Sequence, residues 1–245
     1  MTTKLSVNVN KIALLRNSRG NDYPNLVDMA KRAIAAGAQG ITVHPRPDER
    51  HITYADVPVL ANMLTAYPHV EYNIEGYPND EFMELVLAVK PHQCTLVPDK
   101  PGQLTSDHGW DVEANADKLK NVINVLQATD IRVSLFMDAD TALMSKAKEV
   151  GAYIVELYTE AYARAFGTVD ESKVATQYVA ATESAKAVGL LVNAGHDLNL
   201  DNLRLLLQGG GIDEVSIGHA IMVESFDCGY EATIKKYVDI INSVS

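Results

Sequence analysis

Residues 190–219 read LLVNAGHDLNLDNLRLLLQGGGIDEVSIGH and contain two short apolar runs separated by a segment long enough for one helix. Each run, at 190–196 and at 213–219, is nearly continuously apolar and turns polar only at its end. Continuous hydrophobicity is typical of a strand buried on both faces, as in parallel sheets that are covered by helices. The GGG at 209–211 predicts a turn before the second run. This stretch therefore predicts one strand, helix and strand unit of a parallel sheet.

The same kind of run occurs eight times along the chain, with helical segments between the runs. The predicted strands cover residues 4–10, 40–44, 70–76, 92–98, 131–138, 153–159, 190–196 and 213–219. In the first intervening segment, Gly37 provides a left-handed end to a helix whose apolar face consists of Leu26, Met29, Ala30, Ala33 and Ile34. Strand and helix are thus predicted to alternate throughout.

Two architectures contain eight such units without a linker, a closed barrel and a doubly wound sheet. A dinucleotide-binding sheet has GxGxxG after its first strand, whereas residues 8–20 of this chain read NVNKIALLRNSRG. The 245 residues are close to the length of about 250 that is usual for a complete parallel barrel. We therefore predict a single (β/α)₈ TIM-barrel domain over residues 1–245, with its active site at the carboxyl ends of the strands.

The composition is that of a compact globular protein, with 47% hydrophobic and 22% charged residues. A formal net charge of −11 argues against nucleic acid and anionic membranes as partners, because both require a broad basic surface. The sequence shows neither a secretory signal pattern nor an apolar run of about 20 residues. Cys94 and Cys228 lack CxxC spacing, so we expect two buried thiols and a cytoplasmic location.

Polar residues at the ends of the predicted strands are functional candidates, and we expect them to point into an otherwise apolar barrel mouth. They are Asn8, Asn10, Lys11, His44, Asn73, Glu75, Asp138, Glu156, His196 and His219. Three histidines and one glutamate among them can exchange protons near neutral pH, since burial raises the pKa of a glutamate toward that range. Taken singly, each residue could equally be a hydrogen-bonded polar group that caps the barrel.

Two regions could bind phosphate. The loops after strands seven and eight contain Gly195 and Gly218, which let backbone N–H groups approach an anion, or which simply form tight turns. The loops after strands one and two contain half of the arginines of the chain, and guanidinium groups bind phosphate bidentately. These arginines are Arg16, Arg19, Arg46 and Arg50. The alternative is a solvated rim in which at least one of the four forms an ion pair with Asp48 or Glu49.

Residues 99–111, DKPGQLTSDHGWD, form a polar segment that contains glycine and ends near the only tryptophan of the chain. Such a segment could be a lid over the barrel mouth. The alternative is an ordinary surface loop with Trp110 packed against the barrel.

Seven segments of the chain, in their order and spacing, resemble the pyridoxine 5′-phosphate synthase family of deoxyxylulose-dependent vitamin B6 biosynthesis. They are NVNKIALLRNSRG, GITVHPRPDERHI, NIEG, LVPDKPGQLTSDHGWD, VSLFMDAD, VNAGHDLN and IGHAI. The resemblance implies a barrel with additional helices that condenses 3-amino-2-oxopropyl phosphate with 1-deoxy-D-xylulose 5-phosphate and releases phosphate and water. It also implies a homo-oligomer such as an octamer. No cofactor and no metal ion are expected, and two phosphorylated substrates agree with two candidate anion sites.

The resemblance also implies roles for individual residues. His44 of TVHPR and Glu75 of NIEG resemble proton acceptors, and His196 of AGHD resembles a proton donor. The substrate-binding positions carried over are Asn8, Asn10, Lys11, Arg19, Arg46, His51, Thr105, Asp197, Gly218 and His219.

Three places depart from the family pattern. The chain has Asn10 and Lys11 where many members have Asp-His, so Lys11 is expected to contact the sugar phosphate directly. It has Tyr-Thr-Glu at residues 158–160 where many members have His-Thr-Gly. It has Asp197 where some members have glycine.

Three other functions fit parts of the same pattern. A divalent-metal isomerase or aldolase would use His44, Glu75, His196 and His219 as ligands, although no HxH or HExxH spacing supports it. A Schiff-base aldolase would act through Lys11 or Lys100. A sugar-phosphate sensor would bind the same ligands without turnover.

Overall fold

In the computed structural model, which describes residues 2–99, 102–103 and 105–244, eight strands are present at the predicted places. They are β1 (Lys4–Asn8), β2 (Gly40–Val43), β3 (Glu71–Gly76), β4 (Gln93–Leu96), β5 (Arg132–Met137), β6 (Ile154–Tyr158), β7 (Leu191–Gly195) and β8 (Glu214–Ile217). Each strand pairs in parallel with its neighbours in sequence, and β8 pairs with β1, so the sheet closes. The predicted (β/α)₈ barrel is confirmed.

Eleven helices surround the barrel in the part of the chain that is described. They are α1 (Asn10–Asn17), α2 (Leu26–Ala35), α3 (Asp56–Leu64), α4 (Asp80–Val89), α5 (Ala116–Gln127), α6 (Thr141–Glu149), α7 (Glu160–Ala165), α8 (Glu171–Ala187), α9 (Leu203–Gln208), α10 (His219–Cys228) and α11 (Tyr230–Val244). The units after β1, β6 and β8 each contain two helices. The first helix of each pair, α1, α7 or α10, begins within two residues of the carboxyl end of its strand and therefore lies at the barrel mouth.

The local sequence explains where several outer helices begin and end. Asn25, Asn79 and Asp140 precede α2, α4 and α6, and each side chain accepts a hydrogen bond from a backbone N–H of the first turn at 2.8–2.9 Å. The chain leaves the end of α2 through Gly37, whose φ of +111° favours glycine. The stop predicted at this position is confirmed.

The first strand is shorter than predicted, and its extension to Asn10 is wrong. The strand ends at Asn8, whose side-chain oxygen accepts a hydrogen bond from the backbone N–H of Asn10 at 3.0 Å. A local side-chain bond of this kind competes with the sheet pattern and turns the chain into α1. Asn10 and Lys11 therefore occupy the first turn of a helix at the barrel mouth.

The interior of the barrel contains a layer of buried polar side chains below the mouth. Thr95 of β4 contacts Glu156 of β6 at 3.4 Å, and Asn193 of β7 contacts Gln93 of β4 at 3.4 Å. Strands this far apart in the ring can meet only through its interior, so these side chains point inward. Asn193 also donates to Glu214 at 3.1 Å. Hydrogen bonds within this polar layer offset the free-energy cost of burying it.

The amino ends of the strands are closed by ion pairs. Glu71 at the start of β3 pairs with Lys4 of β1 and with Arg132 of β5, the latter at 2.6 Å. The predicted turn at 209–211 lies at the same end, where Gly210 and Gly211 have φ of +75° and +79°. These features belong to the stable end of the barrel, opposite the carboxyl ends of the strands.

The two thiols differ in exposure. Cys94 of β4 is fully buried, as predicted, whereas Cys228 at the end of α10 is partly exposed, and the two are not bonded to each other. The prediction of a second buried thiol is wrong because α10 lies on the outer surface of the barrel mouth. Within the described ranges, no helix is both long and apolar enough to cross a lipid bilayer.

Candidate active site

A cavity of about 900 Å³ lies at the carboxyl ends of the strands. Twelve of the thirteen residues carried over from the family pattern line it. They are Asn8, Asn10, Lys11, His44, Arg46, His51, Glu75, Thr105, His196, Asp197, Gly218 and His219. The exception is Arg19, which is exposed in the turn after α1 and does not line the cavity. Asp138 does not line it either, and instead accepts a hydrogen bond from the backbone N–H of Gly109 at 3.2 Å.

The structure brings the three candidate acid–base groups to this one cavity. His44 follows β2 and Glu75 lies in β3, and the Nδ1 atom of His44 is 3.7 Å from Oε2 of Glu75. His196 follows β7, and its ring packs against Phe136 and Tyr158 with centroid separations of 5.4 and 5.1 Å. Two rings therefore fix the orientation of His196.

Burial controls the protonation of these three groups. It raises the pKa of Glu75 well above its ordinary value, and the nearby carboxyl of Glu156 adds to this effect. Burial also lowers the pKa of His44 well below its ordinary value, and the charge of Arg46 lowers it further. The pKa of His196 is lowered as well, again chiefly by burial. These shifts favour a protonated carboxyl at Glu75 and an uncharged imidazole at His44.

Glu156 is a further site residue to which the sequence assigned no role beyond a polar position in strand six. It lines the cavity, and burial raises its pKa to about 7. Its carboxyl lies close to the backbone of β7, since a Cβ atom placed on Gly195 would be 2.5 Å from Oε1 of Glu156. The sequence does show a charged residue within the apolar run YIVELYT. Only the closed barrel shows that this residue faces the cavity.

The first candidate anion region is cationic and lies on the side of β1 and β2. Lys11, Arg46, Arg50 and His51 line the cavity there. The ring of His51 accepts a hydrogen bond at Nδ1 from the backbone N–H of Ile52 at 2.9 Å. In the neutral ring the proton is then on Nε2, which can donate to an anion. Burial and the charges of Arg46 and Lys11 lower the pKa of His51 to about 4.

The four arginines predicted for this region do not all serve it. Arg16 makes two hydrogen bonds to the carboxylate of Asp56, at 2.6 and 2.8 Å, and is therefore structural. Arg50 bonds to Asp48 at 2.8 Å, as the alternative expected. Lys11, which the sequence predicts as a direct contact to the sugar phosphate, lines the cavity on this side, and its charge acts on His51.

The second candidate anion region lies on the side of β7 and β8. Gly218 precedes α10 and makes no side-chain cap, so the first backbone N–H groups of this helix are available to an anion. A Cβ atom at Gly218 would lie 2.8 Å from the backbone oxygen of Asn8, so the close approach of the two strand ends requires glycine. His219 and Asp197 complete the rim of this region.

One departure from the family pattern, Asp197, has a structural explanation here. His196 and Asp197 have φ of +83° and +57°, a region that favours glycine and that aspartate tolerates better than most residues. Asp197 can therefore stand where some members have glycine. The hydroxyl of Thr159 donates to the backbone oxygens of Gly195 and His196, which holds this strained loop in place.

The segment after β4 is partly described, because Lys100, Pro101 and Leu104 lie outside the described residues. Trp110 is packed down, with its indole N–H donating to the backbone oxygen of Leu96 at 2.9 Å. Thr105 lines the cavity. Asp99 is buried and pairs with Arg46 at 2.7 Å, and the hydroxyl of Ser106 donates to it at 3.0 Å. The sequence did not single out Asp99.

Among the residues with described positions, no group of three or more histidine, cysteine, aspartate or glutamate side chains is arranged to hold a metal ion. The imidazoles of His44 and His196 and the carboxyls of Glu75 and Glu156 line one cavity and can transfer protons there, beside the two candidate anion regions. A small molecule with an anionic group at each end fits this arrangement, and so does a pair of such molecules.

The chain is similar to known proteins over nearly its full length. A sequence profile of the family described as Pyridoxal phosphate biosynthesis protein PdxJ matches residues 5–243. The pyridoxine 5′-phosphate synthase of Albidiferax ferrireducens is 49% identical over an alignment of 247 positions, which covers 98% of each chain. The pyridoxine 5′-phosphate synthase of Bacteroides thetaiotaomicron is 51% identical over 236 residues, which cover 96% of this chain and 98% of its own.

Solved structures confirm the barrel. The phosphoribosyl anthranilate isomerase of Thermus thermophilus superposes with a TM-score of 0.63 over 99% of this chain and 100% of its own, at 12% sequence identity. A likeness at this identity shows the fold alone. The match to the family profile and the identity of about half to its curated relatives show that the chain belongs to the PdxJ family of pyridoxal phosphate biosynthesis proteins.

Proposed function

We propose that this protein is a pyridoxine 5′-phosphate synthase. It condenses 3-amino-2-oxopropyl phosphate with 1-deoxy-D-xylulose 5-phosphate, closes the pyridine ring and releases phosphate and water. The observation that carries the proposal is the convergence of His44, Glu75 and His196 on one cavity that has an anion region on each side. Family membership agrees with this function, because the curated relatives have that name.

The two anion regions are assigned to the two substrates together. The phosphate groups bind at the cationic side near Lys11 and His51 and at the backbone side near Gly218 and His219. Lys11 supports direct charge contact with one phosphate, since it stands beside His51 on the cavity wall. Binding both ends of the reacting pair brings amine and ketone together, which favours imine formation between the substrates.

The protonation states support an order for the proton transfers. His44, as the uncharged base, accepts the proton that the amine loses when it adds to the ketone. Glu75 gives its proton to a departing hydroxyl group and then, as a carboxylate, removes a proton from carbon. The negative charge of the bound phosphates favours protonated His196, which then donates as a leaving group departs.

The test is to mix the purified protein with both substrates, without added metal or nucleotide, and to measure pyridoxine 5′-phosphate and inorganic phosphate. We expect both products in equal amounts. Consumption of one substrate without ring product would refute the function. Loss of activity after exhaustive chelation would favour a metal-dependent enzyme, and borohydride trapping of substrate on Lys11 would favour a Schiff-base aldolase.

A companion experiment tests the role of Glu75. In Glu75→Gln, turnover should fall roughly 10²- to 10⁴-fold, because a positioned acid–base group contributes about that much. Substrate binding, measured by calorimetry with a single substrate, should remain close to that of the unmodified protein. Equal loss of binding and turnover would show a structural role instead.

We also propose that residues 1–245 act as one domain in a cytoplasmic homo-oligomer. Large apolar side chains on the rim helices support association, since Phe226 is 84% exposed and Val223 is 49% exposed on α10. The resemblance to the family suggests eight copies. Analytical ultracentrifugation of the protein and of Phe226→Ser measures the state, and a monomer at micromolar concentration would contradict association.

A further inference from the structure

We propose that Asp99 is the positioning residue for His44, and that it selects the tautomer in which the Nε2 atom of His44 carries the proton and the Nδ1 lone pair faces Glu75. The inference rests on the proposed function for its catalytic meaning, although the tautomer itself is a property of the free protein. It adds to the site a residue that the sequence pattern did not indicate.

The geometry places the imidazole of His44 between two carboxyl groups. Its Nε2 atom is 3.7 Å from Oδ2 of Asp99, and its Nδ1 atom is 3.7 Å from Oε2 of Glu75. The His44 and Asp99 side chains are only 8% and 7% exposed. Separations of this size are longer than a hydrogen bond, and catalytic contacts are often long in a site without substrate and shorten when it binds.

The two carboxyl groups differ in what they offer to the imidazole. Asp99 pairs with the guanidinium of Arg46 at 2.7 Å and receives the hydroxyl of Ser106 at 3.0 Å, which hold it in place as an acceptor. A carboxylate can only accept, so the nitrogen that faces Asp99 must carry the proton. Burial raises the pKa of Glu75, which favours the protonated carboxyl, and a protonated carboxyl can donate to a lone pair. One tautomer of His44 satisfies both neighbours.

The other charged or titratable groups around His44 do not provide this selection. Four of them act on its pKa from the β2 and β7 loops, and all four favour the uncharged ring. They are Arg46, Arg50, His51 and His196. A positive neighbour disfavours the charged imidazolium form of His44, but it does not select between the two neutral tautomers. That selection requires an acceptor at one ring nitrogen and a donor at the other, which Asp99 and Glu75 provide.

The position of Asp99 gives the arrangement a consequence for catalysis. Asp99 lies in the segment after β4, together with Ser106 and the cavity-lining residue Thr105. The segment that contains the cavity-lining residue Thr105 therefore also contains the carboxylate of Asp99. This carboxylate favours the tautomer in which Nδ1 of His44 can accept a proton on the side of Glu75. The logic is that of an orienting carboxylate behind a catalytic imidazole.

The tautomer can be measured directly by long-range ¹H–¹⁵N correlation spectra of protein labelled with ¹⁵N-histidine, with His44 assigned by its absence in His44→Gln. We expect the Nε2–H pattern for His44 in the unmodified protein. In Asp99→Asn, and in Asp99→Ala as a second variant, the tautomer ratio should shift roughly five- to tenfold toward Nδ1–H, because the buried negative charge that attracts a proton to Nε2 is removed. The matched control is Asp107→Asn in the same segment, where the side chain is 64% exposed.

Kinetics of the same variants complete the test. Asp99→Asn should lower kcat roughly 10- to 100-fold, the range for losing a partner that orients an imidazole, while Asp107→Asn keeps the unmodified rate. An unchanged His44 spectrum in both Asp99 variants would overturn the proposal, as would an equal shift in Asp107→Asn. Because the spectra are recorded without substrate, the tautomer of His44 can be determined even if the protein shows no synthase activity.

Discussion

Replacing Glu214 by glutamine should remove a pH dependence of stability that the unmodified protein has. Glu214 starts β8 and points into the polar interior of the barrel, where Asn193 donates to its Oε1 atom at 3.1 Å. Burial raises its pKa to about 8, and the charge of Glu71 adds to this effect. Glutamine has nearly the same shape as the protonated acid and keeps an oxygen that can accept from Asn193. The substitution therefore removes the ionisable group at this position and changes the packing and hydrogen bonding little.

The magnitude follows from the two pKa values. The separation between an ordinary value of 4.5 and about 8 in the folded protein corresponds to roughly 3–5 kcal/mol, at about 1.4 kcal/mol per pH unit. The folded state binds the proton more tightly than the unfolded state. The contribution of protonated Glu214 to the free energy of unfolding is therefore complete below about pH 4.5 and is lost as the pH rises through about 8. Glu214→Gln should match the unmodified protein near pH 5 and exceed its stability by several kcal/mol near pH 9.

The assay is urea unfolding followed by the fluorescence of Trp110, which is buried and is the only tryptophan of the chain. Both proteins are compared at one concentration at several values between about pH 5 and pH 9. Glu149→Gln, at an exposed position of α6, is the matched control and should show a constant difference from the unmodified protein. A difference between Glu214→Gln and the unmodified protein that does not change with pH would refute a protonated, buried Glu214.

Three further outcomes are expected. Gly195→Ala should cost about 1–3 kcal/mol in unfolding experiments and lower kcat, because its Cβ atom would lie 2.5 Å from the Glu156 carboxyl; an unaffected enzyme would show that this contact yields freely. Arg16→Ala should lower the free energy of unfolding by about 1.5–3 kcal/mol, because it removes two hydrogen bonds to Asp56, and should leave KM for both substrates unchanged. A raised KM would show that Arg16 contacts a substrate phosphate. Cys94 should resist alkylation in the native state, because burial raises the pKa of its thiol, and rapid labelling measured by mass spectrometry would contradict the buried position.

The strands and most of the candidate site could be predicted from the sequence because their signals are local. A run such as LLVNAGH shows continuous hydrophobicity and a polar end within seven residues, and that is sufficient to locate a strand and its functional end. The residues His44, Glu75 and His196 each stand at such an end. Since parallel strands in a barrel share one carboxyl face, their convergence followed from the fold class.

Other predictions from the sequence were wrong because the features concerned depend on single contacts. The end of β1 at Asn8 is decided by one side-chain hydrogen bond to the next turn, which hydrophobic pattern does not register. Arg16 looked like a phosphate ligand until Asp56, on a different helix, proved to be its partner. Arg19, one turn further on, points to solvent rather than to the cavity.

By itself the sequence determined the number, order and direction of the strands, the end of the barrel that bears the chemistry, and the family, because these follow from periodicity and from residue identity along the chain. Only the tertiary structure decided which polar side chains face one another across the closed ring. Asp99 beside His44, Glu156 close to Gly195 and Glu214 beside Asn193 are such pairs. The reason is physical: closure of the ring sets these distances and the burial that shifts the pKa values, and neither quantity is encoded in any one segment.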